Sequence, residues 1–213
     1  MATRNICEHE INLYDRWITP EHIIDAIREG YGNRKFDKLG FSPKEKMAYD
    51  RTMYNSNLDL IAFDLLRRLK KSRLFGMDVL EYGKSCGKLS KTLKKYIDTL
   101  NITSLNLDDE LPLKKKYDLI LIYNSIHYRL EWSELYTLFL NSLRKNGVLC
   151  IVDIFYDNNS EFSTCILMDW ITHGGIHNLY SDEVCKILNQ VGFKNIQKRT
   201  INKITTQIVY AYK

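Results

Sequence analysis

A chain of 213 residues, 45% hydrophobic and 27% charged, is long enough for one well-buried core and too short for two comfortable ones. Its net charge of +5 is mild and acids are interspersed among the bases, so the composition does not ask for a nucleic-acid partner. No apolar run approaches the roughly 18–20 residues of a membrane helix, and the five cysteines include no C-x-x-C pair, so neither a disulfide framework nor a metal site is indicated.

The N-terminal stretch MATRNICEHEINLYDRW carries charges where a secretion signal needs an apolar centre, and a cytoplasmic location is expected. The first 75 residues read as helical. Thr19-Pro20-Glu21 offers an N-cap followed by proline at the first helical position, and Gly30 stops that helix. Ser42-Pro43-Lys44-Glu45 repeats the start signal with a capping box. From Asn57 onward, Leu58, Ile61, Leu65, Leu66 and Leu69 recur at helical spacing.

After Gly76 the pattern changes to alternating strands and helices. Strands are expected at 78–82, 102–107, 117–123, 147–154, 195–201 and 205–212, with helices at 87–99, 131–145, 162–172 and 182–191. The near-continuous apolar runs DLILIY and VLCIVDIF suit strands covered on both faces. The alternation predicts a doubly wound α/β sheet, its last two strands forming an antiparallel hairpin through Asn202-Lys203. The expected organisation is a helical cap or dimerisation region over 1–75 and one α/β domain over 76–213.

In such a sheet, ligands bind beyond the carboxyl ends of the strands, near the point where strand order reverses. The strand at 78–82 runs into Glu81-Tyr82-Gly83-Lys84-Ser85-Cys86-Gly87, where Gly83 permits a tight turn and Gly87 opens the helix. An ordinary strand-to-helix turn would also want one glycine. The strand at 117–123 ends in Tyr123-Asn124-Ser125-Ile126-His127, and the next in Val152-Asp153-Ile154-Phe155. A lone histidine there is more readily a strand-end or helix-capping residue, and a lone acid as readily a turn cap. Together they end adjacent strands at one edge, and a carboxylate beside an imidazole is what a general base needs.

LEYGKSCGKLS, YDLILIYNSIHYRLEWSELYTLFLNSLRKNGVLCIVDIFYD and MDWITHGGIHNLYSDEVCKILNQVGFKNIQ, taken in this order, resemble the class I S-adenosylmethionine-dependent methyltransferases. The resemblance runs from about Leu58 to the C-terminus and is strongest to small-molecule O-methyltransferases. It implies a Rossmann-like sheet with an N-terminal helical cap, S-adenosylmethionine as cofactor and a small hydroxylated acceptor. It makes Glu81, Gly83, Ser85 and Gly87 cofactor-loop positions and Asn124 a neighbouring one. Met53, with Tyr54, would cover the methionine end of the cofactor, although apolar helix packing explains them equally well. His127 falls on the catalytic histidine that takes the acceptor proton, and Asp153 on the carboxylate supporting it. A homodimer or a partner protein would engage the N-terminal helices.

Two departures accompany the resemblance. Ser85 stands where a middle glycine is expected, and only 118 − 83 = 35 residues separate Gly83 from Asp118, one strand–helix unit too few. The acid that would hold both ribose hydroxyls is lost with that unit, leaving Asn106 and Asp108 nearest its place. An amide bonds hydroxyls less strongly than a carboxylate. His173 and His177 flank Gly174-Gly175 without an assigned role. A methyltransferase-like protein that has lost methyl transfer, acting as a binding partner or on another reaction, therefore stays open beside the enzyme. Base methylation is disfavoured, because Asn124-Ser125-Ile126-His127 lacks the paired prolines of amino methyltransferases.

Overall fold

The computed structural model describes residues 58–69, 75–84, 86–111, 115–128, 132–155, 180–201 and 206–213. Met53, Tyr54, Ser85, His173, Gly174, Gly175, His177, the two earlier N-terminal helices and the helix expected at 162–172 lie outside these residues.

The described elements are, in chain order, α1 (Leu58–Arg68), β1 (Asp78–Tyr82), α2 (Lys88–Lys94), β2 (Asn101–Leu105), β3 (Tyr117–Tyr123), a 3-10 turn (Ile126–Tyr128), α3 (Trp132–Ser142), β4 (Leu143–Ile154), α4 (Ser181–Val191), β5 (Lys194–Thr200) and β6 (Thr206–Tyr212). Among them is one six-stranded sheet in the order β2-β1-β3-β4-β6-β5. β2, β1, β3 and β4 run parallel, β6 pairs antiparallel to β4, and β5 and β6 form the expected hairpin. The interval between β2 and β3 holds no further strand or helix among the described residues, in keeping with a sheet one unit short. No described helix is long and apolar enough to cross a membrane.

The apolar runs in β3 and β4 follow from burial on both sheet faces. Leu119, Leu121 and Tyr123 share one core with α1 and α2, while Ile120 and Ile122 share the other with α3 and α4. α1 belongs to the first of these cores: Leu58, Ile61, Leu65 and Leu66 pack with Val79, Leu89, Leu119 and Tyr210. The helix read as the end of an N-terminal cap thus shares the sheet's own core. Asp64 on α1 fixes it there, accepting from the Tyr210 hydroxyl (2.9 Å) and pairing with Arg199 Nε (3.0 Å).

Several boundaries differ from expectation for local reasons. β2 stops at Leu105 because Asn106 and Asp109 close a turn: Asn106 N–H donates to Asp109 Oδ2 (2.6 Å), and Asp109 N–H to the Asn106 carbonyl (3.1 Å). α3 ends at Ser142, before Lys145, because Arg144 is held at the amino ends of β1 and β3. Its guanidinium pairs with Asp78 (2.6 Å) and with Asp118. At the end of α4, Gly192 takes φ 111° and its N–H donates to the Leu188 and Asn189 carbonyls, which delivers Phe193 into the core.

Candidate active site

β1 and β3 are neighbours whose following connections leave in opposite directions across the sheet, so a crevice opens between their carboxyl ends. The turn after β1 is organised from within. Glu81 is fully buried, and its two carboxylate oxygens accept from the N–H groups of Leu89 (3.1 Å) and Ser90 (2.9 Å) in α2. Burial pushes its carboxyl up from the ordinary range, against the pull of these hydrogen bonds. Glu81 was expected among the cofactor contacts; here it fastens α2 to β1. Gly87 caps that helix with φ 88°, a conformation costly for a side-chain-bearing residue.

Gly83 has φ 140°, and a Cβ built on it would lie 2.2 Å from Ser125 Oγ. Ser125 Oγ accepts from Lys84 N–H (3.0 Å) and donates to the Tyr123 carbonyl (2.7 Å), joining the turn after β1 to the loop after β3. On the other side Gly83 N–H donates to the Leu105 carbonyl (3.0 Å), and the Cys86 thiol lies 3.3 Å from Asn106 Oδ1. Asn106 and Asp108 are exposed at the end of β2.

Asn124 turns the chain after β3 with φ 43°, its N–H donating to the Val152 carbonyl (2.8 Å). The side chain is buried and its Oδ1 has no hydrogen-bond partner. Asp153, fully buried at the end of β4, accepts from three main-chain N–H groups: Ser125 (2.7 Å) and Ile126 (3.0 Å) on Oδ2, and its own neighbour Ile154 (2.8 Å) on Oδ1. His127, 4% exposed, places Nδ1 3.3 Å from Asp153 Oδ1. The structure therefore brings His127 and Asp153 together, and Asp153 also shapes the loop that carries the histidine.

Three residues with no assigned role in the sequence complete the surroundings. Tyr128 packs its ring 4.1 Å from the His127 ring, and Lys84 Nζ stands 4.0 Å from the Tyr128 ring centre. Trp132 Nε1 donates to the Ile126 carbonyl (2.6 Å), pinning the 3-10 turn to α3. Ser125 was visible inside Asn124-Ser125-Ile126-His127; nothing local indicated that its hydroxyl would cover Gly83. Among the described residues no group of three or more His, Cys, Asp or Glu is arranged to hold a metal ion.

No protein-family profile matches the sequence, and no curated protein matches it. Solved structures match in three dimensions. Human N-acetylserotonin methyltransferase in complex with SAM aligns with a TM-score of 0.65 at 14% identity, over 96% of this chain and 70% of that one. The mitomycin 7-O-methyltransferase MmcR gives 0.64 at 14% identity, over 91% and 66%. The CurJ carbon methyltransferase gives 0.66 at 11% identity, over 97% and 70%. The chain has the class I S-adenosylmethionine-dependent methyltransferase fold, resembling the small-molecule O-methyltransferases.

The described residues fit an adenosyl cofactor at this crevice. A Cβ on Gly87 would meet only Ser104 Oγ (3.7 Å) and Lys91 Cε (3.9 Å), so the turn is open on that side. Asn124 Oδ1 is a buried acceptor lacking a donor, and Asn106 and Asp108 supply exposed polar groups at the end of β2. Each Glu81 oxygen already accepts an N–H of α2.

Proposed function

We propose that this protein is an S-adenosylmethionine-dependent methyltransferase acting on a small, hydroxylated acceptor. The observation that carries the reading is the His127–Asp153 pair, 3.3 Å apart at the carboxyl ends of adjacent parallel strands. It adjoins the turn that runs from Gly83 to Gly87. Bound S-adenosylmethionine supplies a methyl group activated by its sulfonium. Gly83, Gly87, Asn106, Asp108 and Asn124 would hold it, with Glu81 positioning the turn through α2.

The protein's own work is then alignment and the removal of one proton. Asp153, whose Oδ1 lies 3.3 Å from Nδ1, orients the imidazole to take a proton from an acceptor hydroxyl, and Trp132 holds the turn that carries it. The fold does not choose the acceptor atom, since a carbon methyltransferase shares it. The histidine base is what favours a hydroxyl.

Calorimetric titration with S-adenosylmethionine and S-adenosylhomocysteine tests the cofactor, and transfer of labelled methyl to a panel of hydroxylated aromatics tests the reaction. Saturable binding with transfer that His127→Ala abolishes is expected. A second reading, a methyltransferase-like binding protein without transfer, draws support from Ser125 filling the space over Gly83. Absence of binding at millimolar cofactor would favour it and overturn the first.

A further inference from the structure

Methyl transfer by this protein needs two connections to keep a fixed relation. The methyl donor would sit on the turn after β1 and the base stands on the loop after β3. A misplacement of about 1 Å between reacting groups can cost on the order of 10²-fold in rate. The ladder between the two strands ends with Tyr82 opposite Ile122, so beyond it the turn and the loop depend on contacts of their own.

Ser125 supplies such a contact. It is fully buried, and its hydroxyl accepts from Lys84 N–H (3.0 Å) while donating to the Tyr123 carbonyl (2.7 Å). Its own N–H donates to Asp153 Oδ2 (2.7 Å), and Asp153 Oδ1 lies 3.3 Å from His127 Nδ1. The ends of β1, β3 and β4 therefore meet at one residue. There is no slack on the glycine side: a Cβ on Gly83 would lie 2.2 Å from Ser125 Oγ and 2.6 Å from its Cβ. An alanine at 125 would keep the N–H bond to Asp153 and lose both hydroxyl bonds, so the link to the β1 turn is the part that needs serine.

We infer, resting on the methyltransferase reading above, that Ser125 is a positioning residue whose hydroxyl registers the cofactor turn against the His127–Asp153 pair. It acts through Lys84 N–H on one side and the Asp153 carboxylate on the other. Displacement of the turn when cofactor binds is passed to Asp153 and so to the base. The packing over Gly83 then serves transfer instead of marking its loss. The Lys84 side chain adds a looser tie, its Nζ standing 4.0 Å from the Tyr128 ring centre.

The test is amide NMR of the full chain titrated with S-adenosylhomocysteine, for wild type, Ser125→Ala and Ser125→Gly, with calorimetry of the same titrations. The Cys86 and Gly87 amides report the turn. The Ile126 and Ile154 amides report Asp153, to which both donate. In wild type the two sets should shift together along the titration. In Ser125→Ala the turn amides should still shift, and the response at Ile126 and Ile154 should be lost. If Ser125→Ala misfolds, Ser125→Gly decides alone. A residue that merely stabilises the loop would lower the urea midpoint when replaced and leave both responses in place, which overturns the inference while the cofactor reading stands. A wild type whose turn amides shift while Ile126 and Ile154 stay still overturns it without any variant. No binding to wild type at millimolar ligand overturns the methyltransferase reading and this inference with it.

Discussion

Ser125 Oγ stands where a side chain on Gly83 would begin, 2.2 Å from the Cβ position. Gly83 is therefore required by the protein's own packing, whatever it does toward a ligand. Gly83→Ala should lose about 1–3 kcal/mol from this overlap, with strain at φ 140° adding to it. Gly83→Ala with Ser125→Gly should recover part of that loss in urea unfolding. Gly87→Ala should lose only about 1 kcal/mol, from its left-handed φ, because the space around it is open. Equal losses at the two glycines would contradict this account, and Gly87 is the better position for probing cofactor binding without disturbing the fold.

His127→Ala should lower turnover by about 10²–10⁴-fold while leaving cofactor affinity nearly unchanged. The acceptor must carry a hydroxyl that stays protonated at neutral pH, since an ionised phenol needs no base. Full turnover on such an acceptor would remove His127 from the base role.

Asp153→Asn acts on two things at once. The amide retains one acceptor oxygen, whereas the carboxylate accepts from the N–H groups of Ser125, Ile126 and Ile154 and lies 3.3 Å from His127 Nδ1. Turnover should fall less than in His127→Ala, and stability should drop by about 1–3 kcal/mol, measured by thermal and urea unfolding. His127→Ala should not reproduce the stability loss. An Asp153→Asn protein as stable as wild type would show that Asp153 does not organise the loop.

Glu81 gives a signed pH dependence. Its folded carboxyl is raised by burial above the ordinary value of 4.5, so the native state binds the proton over a window from that value upward. An acid with a raised folded pKa contributes stability below the unfolded pKa and loses it as pH rises through the folded one. Urea midpoints should therefore decline with rising pH across this window, and Glu81→Gln should flatten the decline. A Glu81→Gln profile parallel to wild type would refute the assignment.

Asp64→Ala leaves the Tyr210 hydroxyl and the Arg199 guanidinium without their shared acceptor. The expected loss is about 3 kcal/mol, the lower end for breaking a buried pair, because Arg199 reaches solvent. Since Asp64 ties α1 to the β5–β6 hairpin, hydrogen exchange should quicken in both elements. Quickening confined to α1 would mean that the contact does not couple them.

The sequence by itself determined the alternation of strand and helix after Gly76, the double-faced burial of β3 and β4, the final hairpin and the shortened interval before β3. These are periodic or length properties, and burial on a sheet or helix face writes them directly into residue order. It also placed His127 and Asp153 at one edge, because parallel strands in a doubly wound sheet bring their carboxyl ends to the same side. Only the tertiary structure decided where side chains point. Both Glu81 oxygens turn to α2, whose first N–H groups have no partner within the helix. Ser125 covers Gly83, and Asp64 meets Tyr210 from 146 residues away. Such contacts depend on which elements pack together in three dimensions, and no local period encodes them. The place of β2 at the end of the strand order is of the same kind: a five-residue strand reads alike at the centre or the rim of a sheet, and its position is settled by what folds beside it.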